Sequence, residues 1–241
     1  MLDQLFTRLL KKNQLNEKIW LFQFSLISPK EFVFTAGQYL ILPVKTAAGQ
    51  PANRLYSLAG QDGKKQSFEL LIEMVPGGLA STYFQRLTVG DRVSFQGPAG
   101  LFSLKTTGRP VVFLATGSGF APVRSILLSS LPIDSRPFFL FWGLPTKNDL
   151  CLVDELKNLS LAYSNFQFYI CLSRQPDLSF IERPDKNHFF IGRVNAGIET
   201  ILANLPRFDF YLCGSQTVVE SLRQHLVKRG VSSSSIIFEK F

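Results

Sequence analysis

Along the first hundred residues, apolar side chains recur at every second position in short bursts. Residues 18–27 place Trp20, Phe22, Phe24 and Leu26 on one face, with Gln23 and Ser25 on the other, the pattern of a half-buried strand. Residues 67–74 alternate in the same way, with Phe68, Leu70, Ile72 and Met74 set against Ser67, Glu69 and Glu73. Residues 38–44 and 54–59 are further short strands, and one helix fits at about 79–87, opened by Gly77 and Gly78. Short strands punctuated by glycine and proline predict a small antiparallel barrel.

The pattern changes near Gly108-Arg109-Pro110. Residues 111–115 are apolar without a break, as in a strand buried on both faces. A glycine-rich turn follows, then a helix at 122–131. Apolar runs return at 138–142, 166–172 and 208–213, with helices near 149–161, 193–204 and 216–229, and a last strand at 236–238. Strands alternating with helices predict a parallel sheet. The expected organisation is therefore two domains, 1–104 and 105–241, with the boundary within 101–109.

Composition narrows the functional classes. The chain has 241 residues, an apolar fraction of 46% and 23 Phe, enough for two real cores. Its net charge is +8, which favours anionic partners or simply keeps the chain soluble. The basic residues occur as short pairs such as Lys11-Lys12, Lys64-Lys65 and Lys228-Arg229, not as a block, which argues against nucleic acid. Cys151, Cys171 and Cys213 are far apart, so no zinc or iron–sulfur spacing exists, and no bound metal is expected. His188 and His225 lie in no motif and read as structural or surface residues. No run of 18 apolar residues occurs, and the first residues do not read as a signal peptide; a cytoplasmic, monomeric protein is expected.

Six segments carry candidate chemistry. They are Phe34 to Leu40, Arg54-Leu55-Tyr56-Ser57, Gly77 to Tyr83, Thr116 to Pro122, Tyr211 to Gly214, and Phe238 to Phe241. On a strand, Arg54 and Tyr56 share a face: a guanidinium can grip a diphosphate with two parallel hydrogen bonds, and a phenol ring offers a flat ring system a surface. Taken alone, the segment reads first as an ordinary strand with one exposed arginine. Gly77-Gly78 before Leu79-Ala80-Ser81 opens a helix whose free amides and dipole favour an anion, or simply starts a helix. Thr116-Gly117-Ser118-Gly119 lies between a buried strand and a helix, where α/β sheets bind nucleotides, with Pro122 at the last glycine position of the usual fingerprint.

In this order and spacing, the six segments resemble the ferredoxin–NADP⁺ reductase superfamily, closest to its bacterial flavin reductases and oxygenase reductase components. The resemblance covers nearly the whole chain. It implies a six-stranded FAD-binding barrel followed by an NAD(P)-binding α/β domain. It places FAD against Arg54, Leu55, Tyr56, Ser57, Gly78, Leu79, Ala80, Ser81, Thr116 and Phe241. It places NADPH against Thr116, Gly117, Ser173, Arg174, Arg193, Cys213 and Gly214, with Lys147 a further candidate. A Ser-Arg pair after strand 166–172 suits a 2′-phosphate, which favours NADPH over NADH; an acid there would favour NADH. The implied catalytic residues are Ser57, facing flavin N5, Cys213, near the reacting nicotinamide carbon, and Glu239, as a proton relay. A lone buried cysteine is otherwise a small core residue, and Phe241 otherwise caps the core.

The implied activity is hydride transfer from nicotinamide C4 to flavin N5, then electron output to a separate one-electron carrier. An acidic ferredoxin or flavodoxin suits the +8 charge. The alternatives are an NAD(P)H:flavin reductase that supplies free flavin, and a non-catalytic binding or regulatory subunit.

Overall fold

The computed structural model describes residues 2–46, 48–182 and 185–240. The chain divides into two compact units, one of Met1–Leu104 with Ala121–Ser130, the other of Lys105–Phe120 with Leu131–Phe241.

The first unit contains β1 (Asp3–Gln14), β2 (Ile19–Ser28), β3 (Tyr39–Lys45), β4 (Pro51–Ser57), β5 (Ser67–Glu73), α1 (Leu79–Arg86) and β6 (Arg92–Ala99). The strands form one antiparallel sheet in the order β4-β3-β6-β1-β2-β5. An isolated bridge from Leu58 to Leu70 brings the two ends of that order together, so the sheet curls into the expected six-stranded barrel. Inward positions on every strand supply the core, and phenylalanine dominates it. Phe24 packs on Phe68 and edge-on to Phe95, with ring centroids 5.4 and 5.3 Å apart. Truncating any such buried ring to alanine costs about 3–5 kcal/mol.

α1 closes the barrel with Phe84, whose ring meets Phe22 at 5.0 Å and Tyr56 at 5.1 Å. Its C-terminal end is tied to β1: Lys12 Nζ donates to the carbonyls of Gln85 (2.8 Å) and Leu87 (3.2 Å) and lies 5.2 Å from the Trp20 ring centre. A cation at helix carbonyls complements the dipole. Residues 121–130, most of α2 (Phe120–Ser130), belong to this unit through buried polar links. Arg124 Nη1 donates to Ala59 O (2.6 Å) and Glu69 Oε2 (2.7 Å), and Ser125 Oγ to Gly60 O (2.6 Å).

The second unit contains β7 (Val111–Thr116), β8 (Phe138–Leu144), α3 (Val153–Ala162), β9 (Phe166–Leu172), β10 (Phe189–Ile191), α4 (Val194–Ile201), β11 (Asp209–Gly214), α5 (Gln216–Lys228) and β12 (Ile236–Lys240). Its sheet is parallel throughout, in the order β10-β9-β8-β7-β11-β12. The chain starts in the middle at β7, runs out through β8, β9 and β10, then returns to the other side of β7. The order therefore reverses between β7 and β11, the switch point at which open α/β sheets bind ligands. At the opposite end, buried Asp209 accepts from Thr107 Oγ1 and pairs with Arg109 Nε at 3.0 Å, fastening the entering chain to the start of β11.

Three strands lie outside the alternation read from sequence. β1 carries Leu5, Thr7 and Leu9 inward, but Phe6 and Leu10 face outward, 52% and 44% exposed, which blurs its period. The inward threonine is satisfied by donating to Val93 O at 2.7 Å. β6 alternates but runs into Gly97-Pro98, which reads as a turn. β10 is three residues long.

Candidate functional site

In the first unit the candidate residues lie on β4 and at the start of α1. β4 is the last strand in the sheet order, with Arg54 paired in register to Leu42 and Tyr56 to Leu40, both inward-facing residues of β3. Arg54 and Tyr56 thus share a face, as alternation requires. Arg54 is exposed, and its guanidinium donates to its neighbour's carbonyl, Asn53 O at 2.9 Å. Tyr56 is half-buried with its ring edge on Phe84, and burial pushes its phenol up to about 12, so it stays neutral. Leu55 faces the opposite side and is exposed, while Ser57 is half-buried and paired with Tyr39.

α1 begins without a side-chain cap. Gly77 has φ +69°, a left-handed turn that glycine adopts without strain, and Gly78 N–H bonds back to Val75 O at 2.9 Å. The amides of Leu79, Ala80 and Ser81 have no intrahelical acceptor, because a helix leaves its first N–H groups unpaired. The Ser81 hydroxyl turns back toward the loop that precedes α1. It is buried, and its Oγ accepts from Val75 N–H at 2.9 Å. The Ser81 backbone amide, in the first turn of α1, suits an anion. An exposed guanidinium with further donors to offer and an uncapped helix start suit a diphosphate.

In the second unit the candidates fall into two groups at the C-terminal edge of the sheet. The first sits at the switch point. Thr116 ends β7, Cys213 and Gly214 end β11, and Glu239 on β12 stands in register with Cys213. Contact here is so close that only glycine fits. A Cβ on Gly119 would lie 2.4 Å from Cys213 O, and one on Gly214, which has φ +155°, would lie 2.2 Å from Thr116 Oγ1. Gly117 has φ +53°.

The electrostatics of this group follow from burial. Cys213 is 1% exposed; desolvation first, then the nearby Glu239 charge, holds its thiol well above the ordinary range, so it is a neutral SH and no nucleophile. Burial raises Glu239 to about 7, and its Oε2 is buried with no hydrogen-bond partner among the described residues. A carboxyl poised near neutrality and lacking a partner can take or give a proton.

The second group lies beyond β8, where the ends of β8, β9 and β10 meet. Ser173 N–H donates to Leu144 O (3.0 Å), Arg174 N–H to Pro145 O (2.8 Å) and Gly192 N–H to Leu172 O (2.9 Å). These bonds bring the Ser173-Arg174 turn beside the start of α4, where Arg193 is the capping position. Lys147 stands 5.6 Å from the Phe180 ring centre, and its charge helps hold the Asp177 carboxyl low, after the hydrogen bonds from Ser179. Asp177 carries no motif signal in the sequence; it lies three residues past Arg174, with Lys147 and Lys186 both near enough for their charges to act on it. Phe241 lies outside the described residues.

Residues 7–104 match the FAD-binding domain of oxidoreductases, and residues 113–224 match their NAD-binding domain. The chain belongs to the ferredoxin–NADP⁺ reductase-like superfamily of FAD- and NAD-binding oxidoreductases. It is 32% identical over 230 residues to the electron transfer component of toluate 1,2-dioxygenase from Pseudomonas putida, covering 95% of this chain and 65% of that protein. It therefore spans a little under two thirds of that relative's length. The crystal structure of an Amycolatopsis cytochrome P450 reductase, GcoB, superposes with a TM-score of 0.86 at 29% identity, covering 100% of this chain and 70% of the other. A ferredoxin NADP⁺ reductase from Neisseria gonorrhoeae, solved with FAD and NADP, gives 0.81 at 22% identity and 98% coverage of both chains, a likeness of fold.

Proposed function

We propose that this protein is a flavoenzyme that oxidises NADPH and passes the electrons through FAD to a separate one-electron carrier. The observation that carries the reading is the switch point, where Thr116, Gly117, Cys213, Gly214 and Glu239 converge with only glycine-sized clearance. The toluate 1,2-dioxygenase relative, an electron transfer component, supports it.

Each residue has a distinct role. Arg54 and the amides from Gly78 to Ser81 bind the diphosphate, with Leu79 and Ala80 supplying backbone. Tyr56 offers surface to the ring system, Leu55 contributes backbone between Arg54 and Tyr56, Ser57 presents a hydroxyl that can donate or accept, and Phe241 serves as a covering aromatic. Bound FAD supplies hydride acceptance and single-electron release. Thr116, Gly117, Cys213 and Gly214 hold and align the nicotinamide while excluding water. Glu239, with its proton half-held at neutral pH, buffers the proton that accompanies reduction. Ser173, Arg174 and Arg193 bind a 2′-phosphate, which favours NADPH.

The acceptor is proposed to be an acidic carrier of ferredoxin or flavodoxin type, drawn by the +8 charge. Steady-state kinetics with NADPH and NADH against ferredoxin, flavodoxin and free flavin tests all of this. The expected result is a yellow protein that prefers NADPH and reduces the carrier at a rate that falls with salt. A colourless protein that oxidises NADPH only with added flavin would instead make it a flavin reductase. No oxidation of either nucleotide overturns the reading.

A further inference from the structure

We propose that Trp142, on β8 and outside every sequence motif, is a positioning residue that sets the Thr116–Gly119 loop and so the reacting end of the dinucleotide. This deepens the reductase reading and rests on it. Trp142 Nε1 donates to Gly117 O at 3.0 Å, and its ring stacks on Phe120 with centroids 4.3 Å apart and planes 25° apart. Both side chains are fully buried, at 1% and 0% exposure.

The geometry around that bond makes it more than space-filling. Gly117 has φ +53°, the left-handed turn at which the chain leaves β7. Its carbonyl also accepts from Phe120 N–H, so the backbone turn and the indole converge on one oxygen. Next along β8, Gly143 lies against Thr116: a Cβ there would fall 3.1 Å from Thr116 Cγ2. On the other flank, Gly119 presses on the Cys213 carbonyl and Thr116 Oγ1 on Gly214. The loop is thus held between β8 and β11, and Trp142 supplies a side-chain hydrogen bond from the β8 side. A loop shift of ~1 Å at a reacting centre can cost up to about a hundredfold in rate. One lost hydrogen bond is a smaller disturbance, of order tenfold.

The test uses the full-length, FAD-loaded protein, mixed anaerobically with NADPH or NADH while flavin bleaching is followed. Trp142→Phe keeps an aromatic ring, though a smaller one, and removes the N–H. The expected result is a limiting reduction rate down about tenfold, with unchanged FAD content and an unchanged inhibition constant for AMP, a probe of the adenosine half. Phe120→Leu removes the stacking partner and is expected to slow reduction in the same direction, so a poorly folding Trp142 variant does not end the test. A wild-type limiting rate in either folded variant overturns the proposal. So does a loss of AMP binding equal to the loss of rate, which marks general loosening. If the unaltered protein is reduced by neither nucleotide, the reductase reading itself has failed, and this inference falls with it.

Discussion

The two halves of the candidate machinery are built on opposite terms. In the barrel unit, the Arg54 guanidinium is exposed and donates to its neighbour's carbonyl, and α1 begins without a side-chain cap. In the α/β unit, Cys213 is fully buried and Gly119 and Gly214 leave no room for a methyl group. The contrast follows from what each half must do. A grip on a charged diphosphate keeps its donors open for the ligand, since donors already paired would have to be released first. A surface that aligns a reacting carbon needs the reverse, a backbone with one available position.

Three perturbations test that contrast, from the largest expected effect to the smallest. Gly214→Ala places a methyl group on Thr116 Oγ1 at a φ that disfavours side chains. We expect flavin reduction by NADPH to fall by about a hundredfold or more, with FAD content near that of the unaltered protein; rapid-mixing kinetics and flavin absorbance read both. Equal activity would mean the α/β unit is not the rigid half. Arg54→Ala should act on the other half alone. Loss of charge-assisted bonds predicts FAD binding weaker by about 10- to 100-fold, with an apo-protein melting temperature unchanged, measured by flavin titration and thermal unfolding. Full flavin retention would remove Arg54 from the grip.

The third perturbation is a matter of pH. Burial raises Glu239 from 4.5 to about 7, so between those values the folded chain keeps a proton that the unfolded chain has lost. Stability contributed by this group therefore falls as pH rises through that window, and the destabilisation is complete above it. Glu239→Gln should abolish the dependence: Tm matches the unaltered protein near pH 4 and exceeds it at pH 8. A chain of this size gains ~2–4 °C per kcal/mol. Parallel Tm profiles from pH 4 to 8 would place Glu239 in water rather than in a buried pair with Cys213.

Much of the architecture was legible wherever one physical signal dominated. β2 and β5 face core on one side, so period-two alternation marked them, and β7, buried on both sides, showed as an unbroken apolar run. β1 was not legible because its outward face carries Phe6 and Leu10 while its inward face carries Thr7. The six motifs led to the residues at the switch point, since glycines, a cysteine and a terminal acid are rare enough to notice in order. Side-chain direction was not legible. Nothing in Leu79-Ala80-Ser81 says that the Ser81 hydroxyl turns back to Val75, and nothing in a buried run around Trp142 says that its N–H reaches Gly117. Only the arrangement of strands, not the pattern along one of them, decides such partners.

Lys12 has a consequence for how ligand affinity is generated. With its ammonium seated on the carbonyls of Gln85 and Leu87, the far end of α1 is paired before any anion arrives. The helix is thus preorganised: the ordering entropy was lost during folding, and an incoming diphosphate meets an array of amides that does not have to be assembled. A short helix of eight residues, which would fray on its own in water, is held at its tail by a residue some seventy positions earlier.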